Sequence, residues 1–216
     1  MNALTLDRAP ERRKARGCGH ERREEILASA RALFLEHGAQ NVSTRQIAAG
    51  VGISQTCLYV YFKSKDEMLD ALVEATLRKL ATALDAVNAR VADPLESMSA
   101  LLREYIRFGL DHPDEYRLAF VARDGRRRGE RVSVVGDALF DALQSRIAQG
   151  VAAGRFRCPT TPRATAETIW ASVHGLVALR LAYPDRDWAS LEAQIDAQVD
   201  MLLNGPVAPG APALAA

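Results

Sequence analysis

Apolar residues recur along this chain every three or four positions, the spacing of one face of an α-helix. The first such stretch begins near Glu21 and ends at Gly38, and the longest runs through residues 66–91. No segment alternates apolar and polar residues convincingly, as a half-buried strand would. Further helices are predicted at 95–105, 113–120, 132–151, 161–182 and 188–202. We therefore predict an all-α fold of about nine helices and no sheet.

Residues 41–65 predict two short helices joined by a tight turn. Ser43 or Thr44 can cap the first helix, and Gln46, three residues after Ser43, can complete a capping box. Gly52 can adopt the backbone conformation that a sharp turn requires. Two helices around a glycine-containing turn form a helix-turn-helix, the unit by which many proteins enter the major groove of DNA.

Charge is distributed unevenly between the two parts of the chain. Residues 1–65 hold 11 Lys and Arg against 6 Asp and Glu, whereas residues 66–216 hold 17 against 21. Residues 1–19 are rich in arginine and poor in apolar residues, which predicts a flexible basic arm. Residues 205–216 are rich in proline and glycine, which predicts a disordered tail. The cationic first third is the part expected to meet phosphate.

Other classes of protein find little support. The three cysteines and four histidines are scattered and show no metal-ligand spacing, so neither a metal site nor a disulfide framework is expected. No cofactor motif, phosphate-binding loop or catalytic triad pattern is present, which leaves a small helical enzyme as a weak alternative. No apolar run of membrane-spanning length occurs, and we expect a cytoplasmic protein that does not enter membranes.

The motif T-R-Q-I-A-x-x-x-G-I-S-x-x-x-L-Y-x-Y-F-K-S-K, at residues 44–65, resembles the DNA-binding motif of the TetR family. D-H-P-D-E-Y-R-L-A-F at 111–120 and W-A-S-V-H-G at 170–175 are similar to TetR regulators with a Trp-His-Gly effector domain. The resemblance spans roughly residues 20–204. It implies a three-helix DNA-binding domain at 20–65 and a helical ligand-binding and dimerisation domain at 66–204.

The resemblance also implies which residues contact DNA. Gln55 can pair with adenine, Thr56 or Cys57 can touch a thymine methyl group, and Arg45 can reach a guanine or a phosphate. Gln55, Thr56, Cys57 and Tyr61 are expected on the exposed side of the second short helix. Phosphate contacts are expected from Thr44, Tyr59, Tyr61, Lys63 and Lys65. The side chain of Tyr59 could equally pack inside the domain.

A pocket for an apolar or amphipathic small molecule is implied among the middle helices. Its candidate residues are Phe108, Tyr116, Phe120, Phe140, Trp170 and His174, although aromatic residues at helical spacing also form cores. Trp170 and His174 lie four residues apart, so both are expected to line the pocket if either does.

The same family architecture implies a homodimer on a palindromic double-stranded operator. The last two helices, at 162–182 and 187–204, would form a four-helix bundle with their copies. A repressor that an inducer releases is the expected function, and ligand-assisted DNA binding is the less favoured direction. A second domain that binds a protein partner instead of a small molecule is the main alternative.

Overall fold

The computed structural model describes residues 19–121, 129–155 and 160–204, which form nine α-helices and no strand. The predicted all-α fold is confirmed. In chain order the helices are α1 (Gly19–His37), α2 (Thr44–Val51), α3 (Gln55–Tyr61), α4 (Lys65–Asn88), α5 (Pro94–Asp111), α6 (Pro113–Tyr116), α7 (Glu130–Ala152), α8 (Pro162–Ala182) and α9 (Leu191–Asn204). The predicted basic arm, except for its last residue, and the predicted tail lie outside the described residues.

Ser43, rather than Thr44, caps helix α2. Its hydroxyl accepts from the amide of Gln46 at 3.3 Å, and its own amide donates to the Gln46 side-chain oxygen at 2.8 Å. This is the reciprocal capping box that the sequence spacing predicts. Helix α3 begins in a similar way, because the Ser54 hydroxyl accepts from the amide of Cys57 at 3.1 Å. The two short helices therefore have starting points fixed by their own sequence.

Gly52 makes the turn between α2 and α3 in the left-handed region, with φ 69° and ψ 35°. A Cβ atom added there would meet nothing within 4 Å, so a substitution changes only the backbone energy. Gly52→Val should lower the free energy of unfolding by about 1–2 kcal/mol, because L-residues disfavour this conformation. Gly52→Asn should lower the free energy of unfolding by less, since asparagine adopts the left-handed conformation more readily. Urea denaturation measures both changes, and equal losses would contradict the assigned cause.

A first hydrophobic core joins α1, α2, α3 and the beginning of α4. Its buried side chains include Ile26, Phe34, Ile47, Leu58 and Phe62. The same core continues into the second half of the chain through Met68, Leu69, Val73 and Leu77 of α4, Leu118 and Ala119 after α6, and Val132 of α7. Helix α4 therefore belongs to both parts of the molecule.

A second core joins α5, α7, α8 and α9 around the later part of α4. Helices α5 and α8 approach closely at Gly109, where an added Cβ would lie 2.6 Å from a Val177 methyl carbon and 2.9 Å from the Tyr116 ring. Helix α7 lies beside α4, and α8 lies against both α5 and α7. Within the described ranges, no helix is long and apolar enough to cross a membrane.

Several predicted helices differ from the structure in their bounds or type, and α5, predicted over 95–105, continues to Asp111. Helix α4 ends at Asn88 rather than at residue 91, because the chain must turn before Asp93, whose carboxylate caps α5. The stretch predicted as one helix over 113–120 is the short α6 followed by a π-helical turn, Arg117–Val121. Helix α9 begins at Leu191 rather than near 187, because the Ser190 hydroxyl accepts from the amide of Ala193 at 3.3 Å.

Candidate functional site

Helix α3 presents a polar surface on one side and anchors the domain on the other. Gln55 and Thr56 are exposed, whereas Leu58 is fully buried, and Phe62 just after the helix is buried as well. Tyr61 was expected on the exposed side but is half-buried against the first core, because it lies one turn beyond Leu58. The exposed part of α3 therefore consists of Gln55, Thr56, Tyr59 and Val60.

Three of the predicted DNA-contacting residues meet in a hydrogen-bonded cluster on this surface. The Gln55 Nε2 atom donates to the Thr44 hydroxyl at 2.8 Å and to the Tyr59 hydroxyl at 3.4 Å, and the two hydroxyls lie 3.3 Å apart. The hydrogen bonds from Thr44, first, and from Gln55 lower the pKa of the Tyr59 hydroxyl. Side chains from α2 and α3 thus hold one another in place beside open solvent, and Gln55 must exchange these partners in order to pair with a base.

The remaining predicted DNA contacts differ in their exposure. Arg45 and Lys63 are exposed, and Cys57 is half-buried. The half-buried Lys65 donates from Nζ to the carbonyl of Gln40 at 3.3 Å, which ties it to the turn after α1. No hydrogen bond or ion pair of the Arg45 guanidinium occurs in the part of the chain that the structure describes, so that side chain can reach a nucleic acid without breaking a contact.

A cavity of about 380 Å³ lies between α4, α5, α7 and α8. This volume falls within the range of small-molecule pockets. Of the predicted pocket residues, Phe120, Phe140 and Trp170 line it. Phe108, Tyr116 and His174 do not line it: Phe108 and Tyr116 are buried in the second core, and the His174 ring turns toward Tyr116. Trp170 thus lines the cavity and His174 does not, although their ring centroids on α8 are only 5.9 Å apart.

A chain of hydrogen bonds connects the cavity wall to the interior. Trp170 Nε1 donates to the Tyr105 hydroxyl at 3.2 Å, the Tyr105 and Tyr116 hydroxyls lie 3.2 Å apart, and the Tyr116 hydroxyl lies 2.5 Å from His174 Nδ1. Indole nitrogen can only donate, so each tyrosine can in turn donate to the next group, ending on a neutral imidazole. We call these four residues the tyrosine–histidine chain. It satisfies polar atoms that would otherwise be buried without partners.

Burial sets the protonation of this chain. It raises the pKa of both the Tyr105 and the Tyr116 hydroxyls, so both keep their protons. It also lowers the pKa of His174 from its usual 6.5, which favours the neutral ring. The arrangement of donors and acceptors and the desolvation of the imidazole therefore favour the same state.

Stability should fall in acid because of His174. The unfolded chain takes up the imidazole proton near its usual pKa, whereas the folded protein takes it up only at lower pH. The contribution is complete above about pH 6.5 and is lost as the pH falls from there toward the folded pKa. Urea denaturation at about pH 7.5 and about pH 5.5 measures the change. His174→Gln, which can still accept from Tyr116, should show a smaller difference between the two pH values, and an unchanged difference would contradict the assignment.

Most of the residues that line the cavity were not predicted from sequence, and Tyr105 and Arg146 are the most informative polar ones among them. Tyr105 was assigned only to a helical apolar stripe, and the sequence contains no signal of its bond to Trp170. Arg146 carries a readable signal, because it lies three residues after Leu143 and four before Gly150, on the inward side of α7. A charged residue in the register of an apolar stripe points to a special environment.

An all-helical chain with an exposed helix-turn-helix ahead of a helical body that contains a cavity has the architecture of a one-component DNA-binding regulator. Comparison with known families agrees. Residues 26–72 match the bacterial regulatory proteins of the TetR family, and residues 98–202 match the tetracyclin repressor-like C-terminal domain. The chain belongs to the TetR family. It is a DNA-binding transcriptional regulator, and its family consists of regulators rather than enzymes. Regulators of this family typically act as dimers that bind operator DNA and small-molecule effectors.

Individual relatives support the same assignment. The nucleoid occlusion factor SlmA of Escherichia coli is 32% identical over 157 residues, which cover 70% of this chain and 76% of that protein. A TetR/AcrR-family regulator from Thermobifida fusca is 26% identical, with a TM-score of 0.64 over 87% of this chain and 100% of that one. The fatty acid degradation regulator FadR from Bacillus halodurans shares the fold, with 16% identity and a TM-score of 0.72 over 88% of this chain and 97% of that one.

Proposed function

We propose that this protein is a repressor that binds a palindromic operator as a homodimer and leaves it when a small apolar or amphipathic inducer fills the cavity. The observation that carries this proposal is the position of Leu77 on α4. This side chain is buried in the first core, which also contains the buried side chains of α2 and α3, and it also lines the cavity. A ligand in contact with Leu77 therefore touches the core that orients α3.

The mechanism follows from the symmetry of DNA. A dimer reads two half-sites only when its recognition helices lie about 34–36 Å apart. A ligand that prefers another spacing must lower operator affinity by the same factor by which the operator lowers ligand affinity. Helix α4 runs from the DNA-binding helices to the cavity wall, so it is the element through which the spacing would change.

A second contact links the two parts of the molecule. The Glu115 carboxylate of α6 lies 3.3 Å from Arg31 of α1 and 3.6 Å from Lys79 of α4. Burial opposes ionisation, but the residue's own backbone amide and the charges of Lys79 and Arg31 together lower the pKa of Glu115. The next residue, Tyr116, belongs to the tyrosine–histidine chain behind the cavity. A ligand that displaced the tyrosine–histidine chain would therefore also shift α1, through the ion pair of Glu115 with Arg31.

The proposed dimer surface is formed by α8 and α9. Leu179 is 50% exposed and Met201 55% exposed, which is unusual for large apolar side chains unless another surface covers them. Both lie on the two helices expected to pair with their copies in a four-helix bundle.

We propose Thr44, Arg45, Gln55, Thr56, Cys57, Tyr59, Tyr61, Lys63 and Lys65 as the DNA-contacting set. Within it, Gln55 would read a base and the exposed Lys63 would contact phosphate. Selection of bound fragments from random duplex DNA identifies the operator. Gln55→Ala should then weaken binding to the selected operator by about 1–3 kcal/mol. The loss should be smaller on operator variants in which the base read by Gln55 is already changed.

Lys63→Ala is the matched comparison. It should weaken binding to all sequences evenly and reduce the slope of affinity against salt by about one counterion. Fluorescence anisotropy with the selected operator and single-base variants, at several salt concentrations, distinguishes the two roles. If both variants lose the same affinity on every duplex, the assignment of a base reader and a phosphate contact is wrong.

A further inference from the structure

The charged groups around the cavity are of three kinds. Arg163 and Glu167 form an ion pair with each other at 3.1 Å, so their charges compensate. Asp85 and Asp137 are exposed at the surface and remain solvated. Arg146 is the exception, because it is half-buried and forms no ion pair with a carboxylate in the described ranges. Arg146 is therefore the residue that indicates which charge a ligand in this cavity would carry.

The Arg146 side chain is held in place by neutral acceptors. Its Nη1 donates to the hydroxyl of Ser97 at 2.8 Å, and its Nη2 donates to the side-chain oxygen of Asn88. Ser97 is fully buried. A guanidinium carries five N–H donors, so donors remain after these two bonds. A positive charge fixed by neutral partners beside an apolar cavity is matched by an anion that brings its own charge and accepts the free hydrogens.

The cavity provides a long apolar path that leads to this arginine. On α4 its wall runs from Leu77 through Leu80 and Leu84 to Asn88, a length of about 16 Å at the helical rise. On α7 the parallel wall is Leu139 and Leu143, and it ends at Arg146 itself. The apolar walls suit a hydrocarbon body, and the arginine stands at one end of them.

We propose that the cavity binds an amphipathic organic anion, with its hydrocarbon chain along the leucine-lined wall and its anionic head on Arg146. This inference rests on the proposed function, because it takes the cavity to be the effector site. It assigns the class of effector and the residue that recognises its charge.

Three probes that share one hydrocarbon chain test the charge preference on the purified full-length protein. Decanoate, decanol and decyltrimethylammonium are titrated by isothermal calorimetry, below the concentrations at which they form micelles. Decanoate should bind at least about tenfold more tightly than decanol, since a charge-assisted hydrogen bond is worth that factor or more. The ammonium probe should bind more weakly than decanoate. Tighter binding of the ammonium probe, or no binding of decanoate, overturns the proposal.

Two arginine variants locate the charge that is recognised. Arg146→Gln should remove the preference for decanoate over decanol, whereas Arg163→Gln should keep it, because Arg163 is already paired with Glu167. Equal preferences in the two variants overturn the assignment to Arg146. The wild-type comparison of probes stands even if Arg146→Gln does not fold.

Operator affinity, measured with and without decanoate, separates this inference from the proposed function. If decanoate binds through Arg146 and leaves operator affinity unchanged, the ligand class stands and the inducer mechanism fails. If decanoate does not bind but another compound releases the operator, the inducer mechanism stands and the ligand class fails.

Discussion

Truncation of Tyr116 to alanine should lower the free energy of unfolding by about 3–5 kcal/mol, the range for removing a large aromatic side chain from a core. Tyr116 is fully buried and lies where α5, α6 and α8 meet. Its ring centroid is 4.7 Å from that of Phe120 and 5.5 Å from that of His174. Alanine leaves a cavity among these rings and also removes the central hydroxyl of the tyrosine–histidine chain. Urea denaturation measures the loss.

Tyr116→Phe separates the two contributions. Phenylalanine keeps the ring but leaves the Tyr105 hydroxyl and His174 Nδ1 without their shared partner, at a cost of about 1–3 kcal/mol. The phenylalanine variant should therefore fall between the wild type and the alanine variant. If it matches the wild type, the hydroxyl chain contributes nothing to stability and serves at most to position Trp170.

Phe34→Ala should also lower the free energy of unfolding by about 3–5 kcal/mol, in this case by weakening the first core, which holds the buried side chains of α2 and α3. Phe34 is 2% exposed and packs on the inner side of α1, in the core that also holds Leu58 of α3. Its loss removes support from the helix that carries Gln55. We expect the unfolding midpoint to fall and operator binding to be lost at temperatures where the wild type still binds.

Glu36→Ala is the matched control for Phe34→Ala. Glu36 lies two residues further along α1 and is exposed, so its removal should change stability by less than about 0.5 kcal/mol. Thermal unfolding and operator gel shifts on both variants test the difference. An unchanged midpoint in Phe34→Ala would show that α1 does not depend on this core.

Local features of the fold were predictable from sequence because local chemistry decides them. The capping box of Ser43 and Gln46, the left-handed Gly52 and the start of α8 after Thr161 all depend on residues within a few positions of one another. The family motif at residues 44–65 was equally readable, and the exposure of Gln55 and Arg45 agrees with the proposed DNA surface.

The arrangement of the cavity was not predictable in the same way. Trp170 and His174 share a helix, but their hydrogen-bond partners come from other helices: Tyr105 accepts from Trp170, and Tyr116 pairs with His174. Which of the two side chains lines the cavity depends on contacts between residues far apart in sequence. Tyr61 shows the same limitation on a smaller scale, because it was expected on the exposed side of α3 but packs partly against the first core.

The continuity of the first core through α4, Leu118, Ala119 and Val132 limits how this regulator can be recombined with others. A chimaera that grafts residues 20–65 onto a foreign sensor would cut through packed side chains and expose Met68 and Val73 to mismatched neighbours. A workable graft would carry α4 through Leu77 and would also transplant the contacting positions at 118, 119 and 132. Exchange of operator specificity within this protein is therefore better attempted by redesigning the surface of α3 than by swapping the domain.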